Sequence, residues 1–166
     1  MIVRAWALAL QRVPAANSVW AGDRILRLKN CDIGVGVAVD GGIITPVLRR
    51  VEERSLGEIA AEMQLLVGQA RARRLAAGDH AAATAISNLG MYGVREFQAI
   101  IDPPGSTMLA IGACRPCNVV RNRQSVVADM MTVTLSCDHR VMDGALGAEL
   151  LSSFRQLVEN PFAIVV

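Results

Sequence analysis

The chain has 166 residues, of which 52% are hydrophobic and 19% charged, so it can bury a full core and suits a single domain. Its formal net charge of +2 is too small, and its basic residues are too scattered, for a nucleic-acid-binding surface. The basic cluster ARARR (Ala70–Arg74) lies on a helical pattern and is interpreted as a solvated face. No apolar run approaches the ~18 residues of a membrane span. We therefore expect a soluble protein without nucleic-acid or membrane partners.

The first residues imitate a secretory signal peptide. The apolar run Ala5–Leu10 has only six residues, fewer than the ~7–15 that a secretory core needs. The apolar residues of this segment recur instead at helical spacing: Ile2, Trp6, Ala9, Leu10 and Val13. The pattern predicts a buried helix that is followed by Pro14.

Two pairs of strands are predicted before a second helix. Val19–Leu28, interrupted by AGD, has the pattern of a short hairpin. The sequences IGVGVAV and IITPVL, on either side of DGG, predict a second pair of strands around a glycine turn. A helix should then begin near Ser55, because Ser55 and Glu58 have capping-box spacing, and end at about Leu75.

The second half alternates strands and loops before a final helix. Thr84–Asn88 is predicted as a strand, followed by the glycine-punctuated loop LGMYG. Beyond PPG, three further strands are predicted: Thr107–Ala113, Asn118–Val120 and Met130–Cys137. The last amphipathic helix covers roughly Ala145–Glu159. Strands mixed with helices at each end predict an α+β or mixed α/β layer.

The cysteines raise the questions of redox chemistry and metal binding. The four are Cys31, Cys114, Cys117 and Cys137. CRPC at 114–117 has the spacing of a redox or zinc motif, but no second such pair follows and no helical pattern begins after it. We expect reduced cysteines in a reducing compartment and no bound metal. A zinc site is the alternative.

The segment SCDHRVMDGALGAELL places ionisable side chains between a predicted core strand and the last helix. His139 lies where the strand ends, and Asp143 stands just before the helix. In one interpretation Asp143 caps the helix and His139 is a loop residue without a role. In the other, His139 is a general base, because an imidazole with a pKa of ~6.5 accepts protons near neutral pH. Asp143 would then cap the helix and orient the site.

DHRVMDG (Asp138–Gly144) resembles the His-x-x-x-Asp-Gly signature of two groups of enzymes. These are the dihydrolipoamide acyltransferases, which form the core of 2-oxoacid dehydrogenase complexes, and chloramphenicol acetyltransferase. The similarity continues in order through RAWALALQRVP, IGVGVAVDGGIITPV, TAISNLGMYGV and VTLSCDHRVMDGALGAELL, so it covers essentially the whole chain. Within this family, these motifs are most similar to those of the acetyltransferase of the pyruvate complex, ahead of the succinyl- and branched-chain enzymes. The resemblance implies a two-layer α/β (α+β) fold, a chloramphenicol acetyltransferase-like mixed sheet with flanking helices.

The same resemblance implies a reaction and three residues that perform it. Acetyl would pass between the lipoyl thiol of a separate swinging domain and the thiol of coenzyme A. His139 matches the base that takes the thiol proton, Ser87 the hydroxyl that stabilises the oxyanion, and Asp143 the carboxylate that orders the active-site loop. From the residues alone, Ser87 could equally be a strand-end serine that bonds its own backbone. Asp138 and Arg140 are expected to form a structural ion pair.

The family also implies an assembly. The site would form between protomers of a trimer, with the histidine from one chain and the hydroxyl from its neighbour, and coenzyme A and lipoamide entering from opposite ends. Asp40, Asn88 and Gly112 could line the coenzyme side. Trimers would pack into a larger core, to which the apolar PFAIVV is suited. Expected partners are the lipoyl domain and the other subunits of the dehydrogenase complex, in the bacterial cytoplasm or the mitochondrial matrix.

The resemblance bears on domain boundaries as well. Residues 1–166 are expected to form the acyltransferase domain without its N-terminal segment, since the chain starts at what is normally the second helix, and without a lipoyl or subunit-binding domain. Two hypotheses follow: an acetyltransferase core equipped with His139, Ser87 and Asp143, or a catalytically silent assembly subunit of the same fold.

Overall fold

A computed structural model of the chain describes residues 1–75 and 82–165. The helices are α1 (Ile2–Arg12), α2 (Leu56–Arg71), α3 (Gly144–Glu159) and α4 (Phe162–Val165). The strands are β1 (Ser18–Trp20), β2 (Ile25–Arg27), β3 (Ile33–Val35), β4 (Val37–Val39), β5 (Gly42–Ile44), β6 (Val47–Leu48), β7 (Thr84–Asn88), β8 (Thr107–Ile111), β9 (Arg115–Arg121), β10 (Gln124–Met130) and β11 (Val133–Cys137). Of the helices within the described residues, none has the length and apolar character needed to cross a bilayer.

A five-stranded mixed sheet organises the chain, in the order β11-β8-β7-β3-β6. Its three inner strands run parallel, and the outer strands β11 and β6 run antiparallel to their neighbours. Three two-stranded hairpins stand beside it: β1–β2, β4–β5 and β9–β10. The mixed sheet with helices confirms the predicted α/β (α+β) class.

Helix α1 confirms the buried helix predicted at the N-terminus. Trp6 is fully buried, its indole Nε1 donates to Oγ1 of Thr84 at 2.8 Å, and its ring meets Phe154 of α3 edge to face at 5.5 Å between centroids. A buried indole N–H needs such a partner, and edge-to-face rings are favourable. The tryptophan therefore ties α1 to both β7 and α3.

Helix α2 begins as predicted and ends earlier than predicted. The Ser55 hydroxyl accepts from the Glu58 N–H, and the Glu58 carboxylate accepts from the Ser55 N–H, which completes the capping box. The helix ends at Arg71 instead of Leu75, because Arg73 takes a left-handed φ of 55° that a helix cannot continue. Ala70 is buried and the three arginines of ARARR are exposed, as the solvated-face interpretation requires.

The predicted strand pair around DGG is confirmed, with one interruption. β4 pairs with β5 and β3 pairs with β6, both antiparallel and in one continuous register. The interruption lies at Gly36, whose N–H donates to the carbonyl of Ile86 in β7, and at Pro46, which has no N–H to continue a ladder. Beyond it, β3 also pairs with β7 and so joins this strand pair to the central sheet.

Strand β10 was missed. It pairs along its full length with β9, across a tight turn in which Asn122 and Arg123 have φ values of 51° and 62°. The prediction instead placed a short strand at Asn118–Val120 and a long one at Met130–Cys137, where the structure has β9 and the shorter β11. Much of the hairpin is exposed, so its sequence lacks the alternation of apolar and polar residues that predicts a half-buried strand.

Candidate active site

Ser87 lies near the carboxyl end of β7, one of the inner strands of the sheet. Its backbone is in register with Ala110 of β8, and β3 pairs with β7 on the other side. The hydroxyl makes no hydrogen bond to another residue in the described part of the chain, so the backbone-bonding alternative is not what is observed. The side chain is half-buried. Two inner-strand ladders therefore set the place of this hydroxyl.

Asn88 and Gly112 lie beside Ser87 at the same end of the sheet. Oδ1 of Asn88 accepts from the N–H of Gly90 at 2.9 Å, which closes the short turn after β7. Gly112 follows β8 and donates its N–H to Thr132 at 2.9 Å. A Cβ at Gly112 would lie 1.9 Å from the carbonyl oxygen of Arg95, so close backbone packing requires a glycine there. Both residues thus have local structural roles.

Asp40 lies at the tip of the β4–β5 hairpin and is exposed. Its carbonyl accepts a hydrogen bond from Nη2 of Arg73 at 2.9 Å, which ties the hairpin tip to the end of α2. The hairpin continues from the carboxyl end of β3, which is parallel to β7. All three residues predicted for the coenzyme side are therefore placed towards the Ser87 end of the sheet.

His139 is exposed and follows β11 in a turn that begins with Asp138. The carboxylate of Asp138 accepts from the backbone N–H of Arg140 at 3.0 Å and from its guanidinium, with Nη2 at 2.6 Å. The predicted ion pair is confirmed. Hydrogen bonds from the Arg140 side chain, and then from its backbone, hold the pKa of Asp138 below its ordinary value, and the same contact raises the pKa of Arg140.

Asp143 caps helix α3, as its position predicted. Its Oδ1 accepts from the N–H of Leu146 at 2.8 Å, and its backbone is extended. Val141 and Met142 lie between His139 and this cap, and their N–H groups donate to the carbonyl of Asp138. The turn that presents His139 therefore runs directly into a capped helix.

Two residues that no sequence pattern connects with His139 contact its turn. Nearby along the sheet, the carbonyl of Ser106 accepts from the N–H of Asp138 at 2.8 Å. The guanidinium of Arg140 lies over the ring of Trp20, 5.5 Å from the centroid. Trp20 and Arg140 also line a cavity of about 340 Å³ beside the turn. Trp20 is distant in the chain, so only the fold could bring it here.

His139 and Ser87 do not meet within one chain. Thr107 of β8 is in register with both Thr84 of β7 and Cys137 of β11, whereas Ser87 is in register with Ala110, three residues further along. With ~3.3 Å per residue and ~4.8 Å between strands, the Cα atoms of Ser87 and Cys137 are about 14 Å apart. His139 lies two residues beyond Cys137. The two candidates stand at opposite ends of the sheet.

The cysteines show no redox pair or metal cluster in the described residues. Burial raises the pKa of the Cys31 thiol to about 11, so it stays protonated. Cys114 and Cys117 are separated by the extended start of β9, and three extended residues span ~10 Å, beyond the ~7 Å between Cα atoms that a disulfide tolerates. No group of three or more His, Cys, Asp or Glu side chains within residues 1–75 and 82–165 is placed to hold a metal.

Comparison with known proteins defines the class. Residues 1–166 match the family model described as 2-oxoacid dehydrogenases acyltransferase (catalytic domain). The chain belongs to this family. A curated relative from Rhizobium meliloti (strain 1021) is 47% identical over 167 residues and is named the dihydrolipoyllysine-residue acetyltransferase component of the pyruvate dehydrogenase complex. The alignment covers 100% of this chain and 37% of that relative.

Solved structures agree with this placement. The chain superposes on the dihydrolipoamide acetyltransferase of Azotobacter vinelandii with a TM-score of 0.94 and 30% identity, covering 99% of this chain and 69% of that one. It matches the cubic core of a pyruvate dehydrogenase multienzyme complex equally well, with 31% identity and the same coverage. Chloramphenicol acetyltransferase, at 13% identity and a TM-score of 0.60, shares the fold and confirms that prediction.

Proposed function

We propose that the chain is an acetyltransferase that moves an acetyl group between dihydrolipoamide and coenzyme A in a pyruvate dehydrogenase complex. Membership of the acyltransferase family supports the reaction class, and the acetyltransferase names of its relatives support acetyl over succinyl or branched acyl groups. The lipoyl group would arrive on a separate domain as a substrate.

The spacing of three residues supports their roles. In the Azotobacter vinelandii enzyme, a serine, a histidine and an asparagine were investigated for their part in the mechanism, with the histidine 52 positions after the serine and the asparagine four positions later. The same intervals separate Ser87, His139 and Asp143. Here a carboxylate stands in place of the asparagine amide, and it caps a helix as an amide also can.

In the proposed mechanism His139 acts as the general base. A thiol with a pKa of ~8.5 is mostly protonated at neutral pH, so the imidazole takes its proton as sulfur attacks the thioester carbonyl carbon. A new C–S bond forms, and the carbonyl electrons move to oxygen. Ser87 donates its hydroxyl proton in a hydrogen bond to that oxyanion. When the original C–S bond breaks, the imidazolium of His139 returns the proton to the leaving thiolate.

The site is proposed to form between two protomers. The observation that supports this most directly is the placement of His139 and Ser87 at opposite ends of one sheet. A base and an oxyanion donor must both reach the same few reacting atoms, so a second copy must supply one of them. A cyclic trimer repeats this contact three times. The close structural match to a cubic core supports self-association.

The two ends of the sheet then suggest a separate entrance to the active site for each of the two substrates. Asp40, Asn88 and Gly112 stand on the Ser87 side, where coenzyme A is proposed to bind, and lipoamide is proposed to approach from the other side. The C-terminal α4 suits a further contact between trimers, since Phe162 and Val165 are 82% and 70% exposed. Val166, the last residue of PFAIVV, lies outside the described residues.

Mixed assemblies test this proposal. Acetyl transfer from acetyl-CoA to dihydrolipoamide is measured for wild type, for His139→Ala, for Ser87→Ala and for the two inactive variants unfolded and refolded together. If each interface takes its histidine and its serine from different chains, about a quarter of the interfaces in a random mixture are intact and activity recovers towards that fraction. Recovery near zero, with mixed trimers shown by native mass spectrometry, would refute the shared site. Assembled wild-type protein without transfer would identify a silent assembly subunit.

A further inference from the structure

The turn that carries His139 is held mainly through Asp138. The N–H of Asp138 donates to Ser106, its carbonyl accepts from Val141 and Met142, and its carboxylate accepts from Arg140. His139 itself makes no hydrogen bond to any residue of the described chain and is exposed. The direction of its imidazole therefore depends on how firmly its two neighbours, Asp138 and Arg140, are held.

Arg140 has a contact on each side. Its guanidinium forms a fork on the Asp138 carboxylate, through Nε at 3.0 and 3.1 Å and Nη2 at 2.6 Å. The same guanidinium lies over the Trp20 ring at 5.5 Å from the centroid. A cation within ~6 Å of an indole face is attracted by the ring quadrupole, and a planar guanidinium can also stack on it. The Arg140 side chain is 63% exposed, so without Trp20 one of its faces would meet only solvent.

Trp20 is connected to the same turn through the backbone. Ser106 is fully buried, and its hydroxyl donates to the carbonyl of Ser18 on β1, while its own carbonyl holds Asp138. Ser18 and Trp20 are two residues apart on one short strand, so the hydrogen bond to the Ser18 carbonyl also fixes the strand that carries Trp20. The contacts close a ring from Ser106 through β1 and the indole to Arg140, Asp138 and back.

We propose that Trp20 is a positioning residue for His139. By covering one face of Arg140 it keeps the fork on Asp138 in a single arrangement, and this holds the backbone that presents the imidazole. The proposal rests on the proposed function in one respect, namely that His139 is the base. Its structural part, that Trp20 sets the environment of His139, stands on the contacts alone.

Kinetics of three variants test the catalytic part. Trp20→Leu should lower kcat by about two- to five-fold, the size expected for a partly exposed cation–π contact, with KM unchanged. Trp20→Phe keeps a ring face and should recover most of the loss. Leu26→Ala, on the paired strand β2, is the matched control for damage to the hairpin and should leave kcat unchanged. Equal losses in all three variants, or a loss confined to KM, would overturn the proposal.

A second measurement does not depend on activity. Diethyl pyrocarbonate acylates unprotonated imidazole, and mass spectrometry of peptides gives separate rates for His139 and for the other histidine, His80. In Trp20→Leu the rate at His139, followed against pH, should change at least about two-fold relative to His80, and in Trp20→Phe it should not. If wild type transfers no acetyl, the proposed function fails and these rates alone decide the role of Trp20. An unchanged His139 profile in folded Trp20→Leu would overturn it.

Discussion

At the Ser87 end of the central sheet mainly the main chain holds the candidate side chain, whereas at the His139 end side-chain contacts are added to the main-chain hydrogen bonds of the turn. Ser87 stands on a strand paired on both sides, next to glycines whose backbones pack without room for a Cβ. His139 stands on an exposed turn held by a carboxylate, a guanidinium, an indole and a helix cap. Substitutions of neighbours should therefore matter more at the His139 end.

The largest effect is expected at the His139 end. His139→Ala should lower acetyl transfer by about 10²–10⁴, the loss of a general base, with an unchanged melting temperature because the side chain is exposed. Steady-state assays at saturating substrate measure it, with His80→Ala as the control. Near wild-type turnover in His139→Ala would restore the interpretation of a loop histidine without a role.

A smaller but purely chemical effect is expected at the Ser87 end. Ser87→Ala should cost about 10²–10³, mainly in kcat, because one oxyanion donor is lost while the backbone ladders remain. Ser125→Ala, on the exposed hairpin strand β10, is the matched control and should be silent. A change seen only in KM would mean that Ser87 binds substrate without stabilising the oxyanion.

Substitutions of Asp143 distinguish a role in stability from a role in ordering the catalytic turn. Asp143→Ala should lose about 0.5–2 kcal/mol of unfolding free energy, whereas Asp143→Ser should keep it, because serine caps a helix nearly as well. If the carboxylate also orders the turn, Asp143→Ser should retain the melting temperature and lose acetyl transfer. Denaturant titrations and assays on both variants decide; a fully active Asp143→Ser would leave Asp143 as a cap only.

The smallest effect is a pH dependence at Asp138. Because the folded-state pKa of Asp138 is lowered, its ion pair stabilises the protein above the unfolded pKa of ~3.9 and is lost as pH falls through the folded value. The melting-temperature difference between wild type and Asp138→Asn should be constant near neutral pH and shrink below about pH 4. A difference that persists unchanged into stronger acid would mean that the charge of Asp138 is not what holds the turn.

Local patterns predicted the parts of the fold that rest on local physics. Helical periodicity located α1 and α3, the Ser55–Glu58 spacing located the start of α2, and the strand predicted at Thr84–Asn88 is β7 to the residue. Each of these signals depends on neighbours within one or two turns of chain. The predicted boundaries were wrong at Arg73, where the backbone is left-handed, and at the β9–β10 hairpin, whose strands are exposed. Neither feature produces a periodic pattern in the sequence.

The candidate residues divide in the same way. The sequence by itself determined that His139 follows a strand, that Asp143 caps a helix and that Ser87 ends a strand, because each statement concerns a few adjacent residues. Only the tertiary structure decided that His139 and Ser87 lie at opposite ends of one sheet, since strand order and register join segments far apart in the chain. It likewise brought Trp20 over Arg140, a contact across 120 positions that no spacing can indicate.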